Sequence, residues 1–214
     1  MSRLTFCAAR WSLFALSFVA FSLFASTALG EDVVLIEEHW ELHVGGPDPA
    51  RSAPQVTMVM SPNGNLFQEH FLLTLNHHTH PDFVPGGIQV QRWYGEELES
   101  ASSVSTYNPL ASDGEVLTWI QRLSIVNGKL KFEVFGNSPS WGNFGDDGEL
   151  TLSQSSSIPR LNNYAPAVSI NDSGIGYAGN RVSSLTLKRL RWVTADNEEH
   201  ELTAPIDIDT DLDP

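Results

Sequence analysis

Short runs of alternating apolar and polar residues dominate the chain, and almost no stretch carries a helical period. In VVLIEEHWELHV (33–44) the even positions Val34, Ile36, Trp40, Leu42 and Val44 can share a strand face, leaving His39, Glu41 and His43 on the other. QVTMVM (55–60) predicts a second strand, followed by the turn residues SPNG. In LFQEHFLLTLN (66–76) the odd positions Phe67, Phe71, Leu73 and Leu75 form the apolar face and His70 falls opposite. GGIQVQRWY (86–94) sets Ile88 and Val90 against Gln89, Gln91 and Trp93. VLTWIQRLSIV and LKFEVF flank Asn127-Gly128, the dipeptide that tolerates the two positive φ angles of a type I′ hairpin turn. VSSLTLKRLRWV (182–193) reads as a late strand, and DNEEHEL (196–202) can turn into another. About ten short strands and no helix imply an all-β, two-sheet antiparallel β-sandwich of jelly-roll type, with Trp40 and Trp119 in its core.

The N-terminus stands apart from this pattern. Arg3 and Arg10 precede a run, Trp11 to Leu29, without a charged residue, and Ala28 and Gly30 are the small residues of a cleavage site before Glu31. That layout predicts a secretory signal peptide over 1–30; the competing reading is an uncleaved anchor. The sandwich is expected over 31–205 and an acidic tail over 206–214, in a protein that is secreted or periplasmic after cleavage and holds no membrane segment. The sole cysteine, Cys7, leaves with the signal, so the domain must rely on its apolar core rather than on disulfides.

Charge narrows the partners. The whole chain has 12 basic and 26 acidic residues; without Arg3 and Arg10 the balance is 10 − 26 = −16. Nucleic acid and anionic membrane surfaces are disfavoured as partners, while neutral and cationic ligands stay open.

Two segments carry a resemblance. NGKLKFEVFGNSPSWGNFG (127–145) and GIGYAGNRVSSLTLKRLRW (174–192) are similar to parts of concanavalin A-like lectin/glucanase (laminin-G-like) jelly-roll domains of secreted bacterial proteins. The resemblance implies a sandwich whose concave face holds a saccharide; it does not imply catalysis. The glucanases' Glu-x-Asp-x-x-Glu strand is not reproduced: EEHWEL offers Glu37, Glu38 and Glu41 without the central Asp. The alginate lyases' Gln-(Ile/Val)-His strand meets Gln91 where the His belongs.

Candidate chemistry follows from these constraints. Saccharides are held by aromatic rings against pyranose faces and by amides and carboxylates against hydroxyls. Gln89, Gln91 and Trp93 on one strand face fit that recipe, as do Asn137, Trp141 and Asn143 in the loop after the hairpin. The cluster NHHTHPDF (76–83) could set His78 and His80 on a metal with His39, His43, His70 or Asp82. Pro81 breaks any strand there, however, so the cluster, His77 included, reads as a polar connection. Asp207, Asp209, Asp211 and Asp213 begin like a calcium loop, but Leu212 stands where that loop turns on Gly. No catalytic residue, metal site or cofactor is expected. The leading expectation is a non-catalytic module binding a neutral polysaccharide or cell-surface glycan. The alternatives are a glycoside hydrolase or lyase of the same fold and a structural protein without a small ligand.

Overall fold

A computed structural model describes residues 32–45, 55–77, 87–104, 114–176 and 182–208. The signal segment, His78, His80, Asp82, Asp209, Asp211 and Asp213 lie outside the described residues. The described residues form thirteen strands: β1 Val33–Val44, β2 Gln55–Met60, β3 Glu69–His77, β4 Gly87–Tyr94, β5 Glu97–Val104, β6 Val116–Val126, β7 Lys129–Ser138, β8 Gly142–Phe144, β9 Thr151–Ser155, β10 Gly174–Gly176, β11 Val182–Thr194, β12 Glu199–Leu202 and β13 Ile206–Asp207. The single helix among the described residues, α1, spans Pro166–Asp172, and its proline at the start needs no helical N–H partner.

The strands form two antiparallel sheets. The larger runs β12-β11-β1-β6-β7-β8, with β13 on β11 and β9 on β7; the smaller runs β10-β2-β3-β4-β5. The molecule is an all-β sandwich, as the alternation predicts. Ile36, Trp40, Leu42 and Val44 of β1 face the core, as do Phe71, Leu73 and Leu75 of β3 and Ile88 and Val90 of β4. Asn127 (φ 52°) and Gly128 (φ 73°) make the hairpin turn and set the register Val126↔Lys129 through Thr118↔Asn137. Two aromatic stacks fill the interior. Trp40 and Trp119 lie side by side within the large sheet, centroids 6.4 Å apart. Phe71 and Phe132 meet between the sheets at 4.9 Å.

Three expectations need correction. Phe67 is 89% exposed, because Ser61, Asn63 and Asn65 hydrogen-bond one another into a tight turn that ends the alternation before β3 begins. Helix α1 and the edge strand β5, whose faces are too polar to show a core pattern, were not anticipated. The start of the acidic tail is paired into the sheet: β13 lies along β11, and Asp207 Oδ1 accepts from the Leu185 N–H at 3.1 Å.

Strand β1 also carries two neighbouring glutamates onto opposite faces. Glu38 points inward and is fully buried. Its carboxylate accepts from Gln121 Nε2 at 2.6 Å, from Trp40 Nε1 at 3.0 Å and from the Tyr164 hydroxyl, which in turn lies 3.3 Å from Ser169 Oγ of α1. No cation among the described residues pairs with it, and burial raises its pKa against these hydrogen bonds. Burial beside that carboxylate also lifts the Tyr164 hydroxyl well above its ordinary value. Glu37 points outward and is ion-paired with Arg122 (2.5 Å) and Arg191 (2.9 Å). Burial alone would raise its pKa too, but hydrogen bonds from His39, Arg122 and Arg191 hold it down at about 2.

The opposite shifts give opposite pH dependences. The native state favours protonated Glu38, so its contribution is present below the ordinary value of 4.5 and is lost as pH rises through the raised native pKa. Glu37 contributes above 4.5 and loses that contribution as pH falls toward 2. Thermal melts across pH should therefore show Glu38→Gln gaining on the parent protein as pH rises above 4.5. Glu37→Gln should cost about 1.5–3 kcal/mol at neutral pH, a deficit that closes under acid; parallel curves for the two variants would contradict both assignments.

Glycines give a second test. A Cβ on Gly136 would lie 2.6 Å from the Phe144 ring and 2.7 Å from Trp119 Cβ, whereas one on Gly128 would meet open space. Gly136→Ala should cost about 1–3 kcal/mol or more by overpacking, and Gly128→Ala about 1 kcal/mol through its left-handed backbone. Equal costs in denaturant titrations would remove the packing role of Gly136.

Candidate functional site

The outward face of the large sheet is charged from edge to edge. Glu199 of β12 pairs with Arg191 of β11 at 2.8 Å, Arg191 with Glu37 of β1 at 2.9 Å, and Glu37 with Arg122 of β6 at 2.5 Å. Arg122 reaches Glu133 of β7 at 4.0 Å, and Glu133 holds Lys131 at 2.7 Å. The order follows from sheet register, which sets Arg191, Glu37, Arg122 and Glu133 directly opposite one another. Arg189–Glu201 (3.3 Å) and Lys188–Glu41 (3.0 Å) add two further pairs. Hydrogen bonds from Lys188 and His43 lower the Glu41 pKa.

Beside this belt an open groove of about 330 Å³ is lined by His39, Thr118, Ile120, Phe135, Asn137, Asn143 and Asp146. The hairpin register builds its floor: Ile120 is paired with Phe135 and Thr118 with Asn137. Arg122 lies over the Phe135 ring, 4.8 Å from its centroid, and fixes its orientation. Asn137 Nδ2 donates to Asn143 Oδ1 at 2.6 Å, across the β7–β8 pair. His39 forms one wall, its Nε2 lying 3.0 Å from Arg189 Nη2 and 3.5 Å from Glu37 Oε2.

The remaining wall comes from a break in the sheet edge. Strands β8 and β9 both pair with the same side of β7, at Gly136–Ser138 and at Lys129–Glu133. Between them residues 145–150 leave the sheet and return. Gly145 (φ 81°) turns the chain out, its N–H donates to Glu149 Oε1 at 2.9 Å, and the Leu150 carbonyl accepts from the Val134 N–H at 3.1 Å. The excursion brings Asp146 to the groove.

The six residues that sequence singles out do not converge. Asn137 and Asn143 meet in the groove. Trp141 is only 8% exposed; its backbone N–H donates to Ser138 Oγ and its ring packs edge-on to Phe144, centroids 6.1 Å apart, so it joins the core instead of presenting a face to a ligand. Gln89, Gln91 and Trp93 lie on the outward face of the small sheet, on the opposite side of the sandwich. There Trp93 Nε1 donates to Gln91 Oε1 at 3.3 Å, and Trp93 pairs with His70 on β3 and with Leu98, 50% exposed, on β5. Sequence reasoning missed Thr118, Ile120, Phe135 and Asp146. The signal for the first three was the Asn-Gly turn itself, since counting back from Val126↔Lys129 places Ile120 opposite Phe135 and Thr118 opposite Asn137. Nothing in the sequence marks the edge break that delivers Asp146. Among the described residues, no group of three or more His, Cys, Asp or Glu side chains could hold a metal ion.

No protein family and no curated protein matches the chain. Among solved structures, that of scytalido-glutamic peptidase with a transition state analog inhibitor is similar over 82% of this chain and 82% of that one, at 11% identity and a TM-score of 0.33. A likeness at that level carries no argument about chemistry. What stands of the resemblance seen in the sequence is its coarser part, a sandwich of two antiparallel β-sheets.

Proposed function

We propose that this chain is a secreted or periplasmic, non-catalytic module of the concanavalin A-like kind. On this reading it binds a glycan, as neutral polysaccharide or on a cell surface, in the groove on the large sheet. One observation carries the reading: an apolar floor of Ile120 and Phe135 is flanked by the Asn137–Asn143 amide pair, the Thr118 hydroxyl and the Asp146 carboxylate. That combination suits a pyranose, which offers a C–H face to apolar groups and hydroxyls to polar ones. A hydrolase or lyase of the same fold is less well supported. Glycosidic hydrolysis ordinarily uses two carboxyls flanking the bond, and the groove's described lining holds Asp146 alone. The carboxyl whose pKa is raised, Glu38, faces the other side of the sheet and is sealed from solvent. The Trp93 face of the small sheet is the competing location for the same activity.

A glycan array probed with the protein tests the reading, followed by titration of the best ligand. Phe135→Ala should weaken binding about fivefold or more, the loss of about 1 kcal/mol of ring contact, with the fold checked by melting. Trp93→Ala should leave the affinity unchanged. The reverse result moves the site to the small sheet, and an array without any bound glycan defeats the proposal.

A further inference from the structure

The charges around the groove are unevenly matched, and this bears on what it takes. Across the outward face of the large sheet, the cations Arg122, Lys131, Lys188, Arg189 and Arg191 each reach one or more of the anions Glu37, Glu41, Glu133, Glu199 and Glu201. These five cations and five anions balance one another, and the exposed cation left without an ion pair on this face among the described residues, Lys129, stands six residues along β7 from Phe135. The excursion at 145–150 is different. It carries Asp146, Asp147 and Glu149 with no basic residue of its own. Glu149 is committed through Oε1 to the Gly145 N–H, while Asp146 is exposed, lines the groove and has no ion pair or hydrogen bond among the described residues. The groove therefore combines a saccharide-like lining with one uncompensated carboxylate at its wall, in a chain whose net charge is −14.

We infer that the ligand is a glycan bearing a cationic nitrogen, an amino sugar with its amine free, and that Asp146 is the residue selecting it. This rests on the groove reading above. An ammonium beside Asp146 gains a charge-assisted contact that the acetylated sugar cannot make, while the ring would still lie on Phe135. An anionic sugar would meet Asp146 and the acidic loop in a groove whose described lining holds no Lys or Arg to offset them.

The test compares glucosamine oligosaccharides with their N-acetylated counterparts by calorimetry, at a pH low enough to protonate the sugar amine. The free amine should bind about two- to fivefold more tightly at low salt, the range of an exposed charge pair. The preference should fade at high salt. In Asp146→Asn the two dissociation constants should converge. Equal affinity of the two sugars for the parent protein overturns this inference while leaving the groove reading intact. So does a preference that survives Asp146→Asn, or tighter binding of a lysine peptide than of either sugar. If neither sugar nor any other glycan binds, the groove reading falls as well.

Discussion

A carboxyl group with no described cation beside it sits in the middle of the core, and much of the structure is arranged to satisfy it. Glu38 occupies an inward position of the central strand of the large sheet, so alternation alone buries it. A buried carboxylate is tolerated only where donors replace its hydration. Three arrive here from three different parts of the chain: Trp40 from the same strand, Gln121 from β6, and Tyr164 from the segment that leads into α1. The Gln121 contact depends on the β1–β6 register, in which Glu38 faces Gln121 and Trp40 faces Trp119. A one-residue slip would turn both pairs to solvent and bring the charged outer face into the core. The carboxylate thus opposes register slip while lowering stability at neutral pH, and the contact to Tyr164 ties the only described helix to the large sheet.

The outer face solves a related problem differently. Glu37, one residue away, is also buried, but it is met by two guanidiniums rather than neutral donors. The result is a carboxylate held ionised on one side of a strand and, on the other, a carboxyl pushed toward its neutral form. The same register that places Glu38 against Gln121 aligns Arg191, Glu37, Arg122 and Glu133 into a continuous row. Exposed ion pairs taken singly stabilise little, but a row that shares Glu37 and Arg122 holds each side chain at two points. Arg122 in turn positions the Phe135 ring, so the belt contributes order to the groove floor as well as charge balance.

The fold was legible because strands with one buried face write their alternation into the sequence. That signal gave β1, β3, β4, the β6–β7 hairpin and β11, and it assigned Trp40 and Trp119 to the core. It failed where side-chain hydrogen bonding overrode hydropathy. Phe67 continues the apolar spacing of β3, yet the Ser61–Asn65 turn ends the pattern before it. Glu38 is not legible as a core residue, because a glutamate on an otherwise apolar strand face is identified as buried only once its partners are known, and Gln121 and Tyr164 lie 83 and 126 residues away. The candidate site was half legible. Asn137 and Asn143 have the right chemistry and do meet, whereas Trp141 turns inward, its ring packed edge-on to Phe144.

The groove and the core are two consequences of the same packing. Trp119 is stacked on Trp40 and occupies the inner space opposite β7, leaving room at position 136 for no side chain at all. With Gly136 there, β7 can lie close against Trp119 and the Phe144 ring, which fills the remaining gap from β8. A strand that carries Gly136 inward still alternates Phe135 and Asn137 outward, on the surface where the groove opens. The edge then breaks one residue past Phe144, where Gly145 approaches the Val134 backbone too closely for any Cβ. The chain must leave the sheet there and return at Leu150, and Asp146 is carried to the groove by that detour. The large aromatic in the core, two glycines without space for a methyl, and an acidic residue at the groove wall are links in one steric chain. A change at Trp119 or Gly136 would therefore be felt at Asp146 without touching it.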